Sequence, residues 1–325
     1  VMGDENPLFF GMLGMHGEYA ANMAAHETDL LISLGARFDD RVTGRLDEFA
    51  SKAKIIHVDI DPTSIAKLVV PDYPIVGDLK ITVNAMIEAI DNGEHEFNDY
   101  TNWVELLRDY REKEPLRYID SNEVIKPQWP IQRVGQLLGA KAIISTDVGQ
   151  HQMWTAQFYP FSYPRQWITS GGLGTMGFGL PAAMGVARAL KGTDKVSINF
   201  TGDGSILMNI QELMTCVEYE LPVINIILNN NYLGMVRQWQ TMFYGNRLSE
   251  TDLSAQPNFK MLVEAFGGLG YRVTTKEEFD IALKDAVEKK RPAMIEVVVA
   301  RHEEVLPMVP NGHALNEMTL IEGGK

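Results

Sequence analysis

Between residues 196 and 239 the chain repeats one alternation, and the repetition leaves few folds open to it. Apolar, β-branched runs at 196–200 and 223–228 flank a stretch of helical period that ends before Pro222, and a further helical stretch carries Met235, Arg237 and Trp239. Two strands joined through a crossover helix lie parallel in one sheet, so both end at the same edge, where doubly wound sheets bind ligands. Gly202-Asp203-Gly204 closes the first strand and Asn229-Asn230-Asn231 the second. The expected fold class is α/β, with doubly wound parallel sheets.

The chemistry that suits this pair of turns is a diphosphate held through a divalent cation. A carboxylate (Asp203) and an amide carbonyl (Asn230) are hard oxygen ligands, and Mg²⁺ takes one or two of these together with phosphate oxygens and water. Gly202 and Gly204 let the backbone approach the phosphate, and a helix starting near Ser205 would offer N-terminal amides to an anion. Taken alone, Gly-Asp-Gly also fits a tight turn chosen for its backbone angles; the asparagines one crossover later favour the ion. A second motif competes. Gly172, Gly174 and Gly177 satisfy GxGxxG after a strand at 166–169 and before a small-residue helix at 180–190, as a nicotinamide-dependent oxidoreductase would. Against that reading, the next strand ends in Gly-Asp-Gly rather than in a lone acidic residue.

The remaining sequence supplies the surroundings. Twenty-nine basic residues against 43 acidic ones give a net charge of −14, which argues against nucleic acid as a partner. No apolar run has the length of a membrane span and no leader pattern opens the chain, so a cytoplasmic location and no membrane partner are expected. The one cysteine, Cys216, reads as a packed small hydrophobe and permits no intrachain disulfide. A first domain is expected over 1–90: helix 19–26, strand 30–34, a turn 35–44 and strand 55–59. Gly35-Ala36-Arg37 and Asp59-Ile60-Asp61 then share one sheet edge, an arrangement that suits a dinucleotide. Asp59 reads as a ligand, Asp61 before Pro62 as the N-cap of a helix, and Asp39, Asp40 and Arg41 as solvated loop charges. His57, within a strand, reads as structural. The polar stretch 91–126 reads as a linker carrying one amphipathic helix (103–111), with Val104, Leu106, Leu107 and Tyr110 on one face. A second domain spans 127–325, with helix 130–138, strand 142–146, helix 276–289, strand 293–300 and a frayed end at 322–325.

The segments FGMLGMHG (10–17), GARFDDRVTG (35–44), HVDIDP (57–62), DVGQHQMW (147–154), GGLGTMGFGLPAA (171–183), GMVRQWQ (234–240) and VLPMVPNG (305–312) accompany the Gly-Asp-Gly and Asn-Asn pair. Together they resemble the catalytic subunits of the acetohydroxyacid synthases (acetolactate synthases), which depend on thiamine diphosphate. The resemblance implies thiamine diphosphate held by Gln150, His151, Gly174, Met176, Gly202, Gly204 and Ser205, with Met176 as the wedge that bends it. It implies Mg²⁺ on Asp203, Asn230 and the backbone carbonyl of Tyr232. It assigns FAD, in a structural role, to His16, Gly35, Ala36, Arg37, Asp40, Arg41, Asp59, Ile60 and Asp78. Arg41, Met235 and Trp239 fall on the substrate side, and 310–312 in a lid over the site entrance. The implied reaction decarboxylates pyruvate and condenses the two-carbon unit with pyruvate or 2-oxobutyrate, in branched-chain amino acid biosynthesis. The implied assembly is a homodimer or homotetramer with its active site at the subunit interface, joined by a small regulatory subunit. Part of the central domain and the preceding pyrimidine-binding domain, which carries the family's activating glutamate, fall outside this sequence, so the isolated chain is expected to be inactive. The nearest alternative is another FAD-containing thiamine enzyme of the pyruvate oxidase or glyoxylate carboligase type.

Overall fold

The computed structural model describes residues 3, 5–93 and 98–321, and the expected frayed end at 322–325 lies outside them. The chain divides into two units. One comprises Phe10–Arg117 with Leu306–Lys325, and the other Val1–Phe9 with Tyr118–Val305.

In the first unit the order is α1 (Tyr19–Glu27), β1 (Leu30–Leu34), a single turn α2 (Asp40–Thr43), β2 (Lys54–Asp59), β3 (Tyr73–Val76), α3 (Leu79–Asp91) and α4 (Thr101–Lys113). The three strands pair in parallel in the order β1-β2-β3. β3 has no counterpart among the expected strands. Its sequence YPIV is short and mostly exposed, and Pro74, which cannot donate to a ladder, is tolerated on an edge strand. The helix expected inside a linker belongs to this unit: Leu107 is buried, and the Tyr110 ring meets Tyr19 of α1 edge-on at 5.8 Å. An amphipathic stripe needs a surface to bury against, and α1 supplies it. The C-terminal segment is held by the same unit. Val309 donates its N–H to Met15 O at 2.7 Å, His313 O accepts from Arg45 N–H at 2.9 Å, and Val309 and Leu315 share a core with Phe38, Phe49 and Ile55.

In the second unit the order is α5 (Gln128–Leu138), β4 (Ala142–Thr146), α6 (Gln150–Phe158), β5 (Trp167–Thr169), α7 (Gly179–Ala189), β6 (Val196–Gly202), α8 (Glu212–Glu218), β7 (Val223–Asn229), α9 (Gly234–Phe243), α10 (Phe259–Ala265), β8 (Leu269–Val273), α11 (Lys276–Lys289) and β9 (Ala293–Val298). All six strands are parallel, in the order β5-β4-β6-β7-β9-β8. Every residue of β4 and β7 is buried, as expected of central strands covered on both faces. One face is covered by a core of Leu180, Ala183 and Ala187 of α7, Leu213 and Cys216 of α8, Phe259 and Val263 of α10, and Val223 and Ile227 of β7.

Two expectations about local structure are corrected here. The helix expected from about Ser205 is a short 3-10 helix, Ile206–Asn209, with Ser205 at its N-cap, and the α-helix α8 starts only at Glu212, so the amides next to the Gly-Asp-Gly motif belong to a 3-10 turn. Nor does a helix follow Asp61. Its carboxylate accepts from the Thr63 N–H and hydroxyl, which closes a turn rather than capping a helix.

Candidate active site

The chain's direction across the sheet reverses at β4. From β4 the path runs outward to β5, then crosses back to β6 on the other side and continues to β7. Such a reversal opens a crevice beyond the carboxyl ends of the strands that flank it. There lies a cleft with an empty volume of about 510 Å³, walled by the turns after β4, β6 and β7. Gln150, His151, Met176, Gly202, Asp203, Gly204, Ser205, Asn230, Tyr232 and Met235 all line it. Sequence reading thus named ten of the residues that the fold brings together from four separate turns.

Asp203 is buried, and burial pushes its carboxyl up to about 6. Hydrogen bonds from Gln256 and from backbone N–H groups work in the opposite direction, and no positive side chain is among the groups that stabilise the charged form. A carboxylate desolvated without a cationic partner is the group a bound divalent cation would compensate. No lysine or arginine lines the cleft, so a diphosphate there would have to be met by backbone N–H groups and a metal ion. Among the described residues, no three His, Cys, Asp or Glu side chains converge on a metal position. The donor types that sequence reading named, a carboxylate on Asp203, an amide on Asn230 and a main-chain carbonyl at Tyr232, would leave coordination positions for phosphate oxygens and suit hexacoordinate Mg²⁺, and all three residues line the cleft. His151 adds a buried Nε2 that has no hydrogen-bond partner, and burial lowers its pKa to about 3, so the ring is neutral at pH 7. An unsatisfied buried nitrogen on the wall of a cleft is the kind of atom that a ligand group satisfies.

The glycines are placed for close approach. A Cβ on Gly202 would stand 2.9 Å from His151 Nδ1, and one on Gly204 would stand 2.8 Å from Leu233 Cδ2. Gly174 adopts φ +68, a conformation most side chains resist, in the exposed turn that carries Met176. Gly174 itself does not line the cleft, and Trp239 stands one turn of α9 beyond Met235, its ring edge-on to Phe243 at 5.5 Å.

Several residues that sequence reading passed over do the supporting work. Asp147 accepts from Thr201 Oγ1 at 2.7 Å and from the Gly179 N–H at 3.0 Å, which joins the ends of β4 and β6 to the first turn of α7. Gln256 donates to Asp203 and accepts from Asn229 Nδ2 at 2.8 Å. Gln238 is fully buried and reaches Gln150 at 2.9 Å. A lone glutamine in a loop or on a helix carries no spacing signal; Asp147, at the start of DVGQHQMW, and Gln238, within GMVRQWQ, stood inside recognisable segments, whereas Gln256 did not. The GxGxxG motif follows β5, an edge strand. A Cβ on Gly172 would meet nothing within 4 Å, whereas one on Gly177 would stand 2.7 Å from Asn209 Nδ2, so the motif's first glycine lacks the close approach that a dinucleotide turn needs and only its last is tightly packed.

The edge formed by β1, β2 and β3 gathers the second group of expected residues. Gly35, Ala36 and Arg37 follow β1, Asp59 and Ile60 lie at the end of β2, and Asp78 follows β3. Asp59 is buried and accepts from the Asp61 N–H at 2.8 Å, while Asp78 caps α3 by accepting from the N–H groups of Lys80 and Ile81. Arg37 pairs with Asp39 at 2.9 Å and Arg41 with Asp40 at 3.2 Å, all on the surface. His57 is structural: its Nε2 lies 2.8 Å from Ala36 O and its ring packs on Phe38. His16 is buried, and burial together with Arg41 lowers its pKa to about 4.

Comparison with known proteins places both units. Residues 147–297 match the family described as thiamine pyrophosphate enzyme, C-terminal TPP binding domain, and residues 1–86 match thiamine pyrophosphate enzyme, central domain. The chain is 45% identical over 315 residues to the acetolactate synthase isozyme 3 large subunit of Escherichia coli K12, covering 95% of this chain and 54% of that one. It is 44% identical over 314 residues to the acetolactate synthase large subunit of Haemophilus influenzae, covering 96% and 54%. Against acetolactate synthase 1, chloroplastic, of Zea mays it is 44% identical over 331 residues, covering 99% and 51%. The chain therefore spans about half the length of these curated relatives.

Proposed function

The chain belongs to the thiamine pyrophosphate enzymes, and on that premise we propose that it is the cofactor-binding portion of an acetolactate synthase catalytic subunit. The observation that carries the reading is the cleft at the β4/β6 reversal, which is lined by Asp203 with its buried carboxylate, by Asn230 and by Tyr232, and by no basic side chain. Asp203, Asn230 and the Tyr232 carbonyl hold Mg²⁺, and the ion with the backbone around Gly202 and Gly204 holds the diphosphate. Gln150 and His151 would stand beside it, Met176 would support the cofactor from the glycine turn, and Met235 would lie on the substrate side. When bound, thiamine diphosphate supplies the electron sink for decarboxylating a 2-oxo acid and the nucleophile for adding the remaining unit to a second one.

The chain's own part is to bind, to orient and to exclude water. Four glycines around the cleft (Gly149, Gly202, Gly204 and Gly234) let main chain come close, and the neutral His151 ring adds no charge beside the diphosphate. The substrates are pyruvate with pyruvate or 2-oxobutyrate, within branched-chain amino acid biosynthesis. FAD occupies the edge of β1–β3 in a structural role, with Arg37 and Arg41 released from surface pairs with Asp39 and Asp40 that cost little to break. The activating glutamate comes from outside these residues. The working assembly is a homodimer or homotetramer with a small regulatory subunit. Among the described residues no helix is long and apolar enough to cross a membrane; a cytoplasmic site of action is part of the proposal.

The test is calorimetric titration of the chain with thiamine diphosphate, with and without Mg²⁺, for wild type and Asp203→Ala. Magnesium-dependent binding that the substitution abolishes is the expected result. Binding indifferent to both Mg²⁺ and the substitution would remove the reading.

A further inference from the structure

Four polar groups form a directional chain from the main chain of Val305 to Asn230. Val305 presents both of its backbone groups to the Gln238 side chain: its N–H donates to Gln238 Oε1 at 2.9 Å, and its carbonyl accepts from Gln238 Nε2 at 3.1 Å. A backbone N–H and C=O cannot exchange roles, so the Gln238 amide has one orientation. Its Oε1 in turn accepts from Gln150 Nε2 at 2.9 Å, and the Glu303 carbonyl accepts from the same nitrogen at 3.1 Å. Gln150 is thereby fixed as well, with its oxygen facing Asn230. Gln150 Oε1 accepts from Asn230 Nδ2 at 3.2 Å, and Asn230 Oδ1 takes the Tyr232 N–H at 3.0 Å. Gln238 is fully buried and does not line the cleft, so a reversed amide there would leave polar groups unpaired.

We propose that Gln238 is a positioning residue for the cation: through Gln150, and together with the Tyr232 N–H, it holds the Asn230 amide in the orientation that offers a hard ion an acceptor rather than an NH₂ group. The inference rests on the reading of Asn230 as a magnesium ligand. An amide is pseudo-symmetric in shape, and turning it over costs little in packing while exchanging a ligand for a repulsive donor. Groups that orient a metal ligand without touching the metal change affinity by about 10- to 100-fold when removed. Gln238 ties this orientation to the Val305 main chain, beside two further main-chain ties, the Glu303 carbonyl on Gln150 and the Tyr232 N–H on Asn230.

The experiment measures the Mg²⁺ concentration that gives half-maximal binding of thiamine diphosphate to the chain, by calorimetry at fixed cofactor. Gln238→Met keeps side-chain length and removes the polar ends; it raises that concentration about 10- to 100-fold. Gln238→Glu keeps an oxygen for the Val305 N–H and for Gln150, and stays within about threefold of wild type; it also serves if the Met variant does not fold. The decisive arm adds Asn230→Asp to Gln238→Met. A carboxylate has an oxygen at both ends and needs no orientation, so the double variant returns most of the lost affinity. If Gln238→Met leaves the magnesium requirement unchanged while Asp203→Ala abolishes binding, the metal reading stands and the relay is overturned. If Gln238→Met weakens binding and Asn230→Asp restores nothing, Gln238 merely supports the fold and the relay is likewise overturned. If wild type itself binds without any need for Mg²⁺, the metal reading fails and takes the relay with it.

Discussion

The hydroxyl of Thr201 donates to Oδ2 of Asp147 at 2.7 Å, and this one bond joins the carboxyl ends of β6 and β4, the two strands between which the cleft opens. Both residues are buried, and the other Asp147 oxygen holds the Gly179 N–H at the start of α7. Burial raises the Asp147 pKa, while these two donors lower it. Thr201→Val removes the hydroxyl without changing shape and leaves a buried carboxylate short of a donor. The expected loss is about 2 kcal/mol of unfolding free energy, because hydrogen bonds to charged groups are worth about 1.5–3 kcal/mol. Urea denaturation at pH 7 checks it; a change below about 0.5 kcal/mol would mean the bond is dispensable.

Gly202 and His151 are in close contact across the same strand ends. The added methyl of Gly202→Ala would stand 2.9 Å from Nδ1 and 3.0 Å from Cε1 of the ring, closer than carbon atoms tolerate. Overpacking of this kind costs about 1–3 kcal/mol. Because the strain belongs to the pair, combining Gly202→Ala with His151→Ala should recover most of that cost. A double-mutant cycle on unfolding free energies measures the coupling, and additive single effects would show that the ring is free to move aside.

Cys216 provides a pH-dependent probe. It is fully buried in the core between α7, α8 and β7, and burial pushes its thiol up to about 12 from an ordinary value of 9.0. A raised folded pKa means that the native chain keeps its proton where the unfolded chain releases it. The contribution to stability is therefore complete below pH 9.0 and is lost as pH rises from 9.0 towards 12. As the sole cysteine, it should react with a thiol reagent at pH 8 only as fast as the unit opens. Labelling of native protein at the rate of a free thiol would contradict this.

Local signals that coincide with a complete physical cause were readable from the sequence. β1, β4 and α11 have the bounds that periodicity assigns to them, and α11 adds a capping box in which Thr275 and Glu278 exchange hydrogen bonds. What escaped notice had its pattern erased by its surroundings. α6 buries Gln150, His151, Gln152, Trp154, Thr155, Gln157 and Phe158, so a helix surrounded on most sides shows no amphipathic stripe, and periodicity assigns no element there. β8, LGYRV, is interrupted by a glycine and lies on an edge, and β3 is four residues with a proline. At the site, the metal-type ligands were legible because Asp203 and Asn230 each end a strand, whereas Gln238 and Gln256 were not, because their partners lie 67 and 53 residues away in sequence.

By itself the sequence determined the chemistry on offer: a carboxylate, an asparagine and a set of glycines at expected strand ends, a net charge of −14 and a single thiol. The tertiary structure alone decided which strand ends meet. Strand order is not written in any local segment; it follows from how all six strands and their helices bury apolar surface together. Only the order β5-β4-β6-β7-β9-β8 puts the turns after β4, β6 and β7 around one cleft. The orientation of the amides within it was likewise beyond local reading, since an amide turns to suit whichever backbone groups burial brings against it, and those belong to Val305 and Glu303 at the far end of the unit.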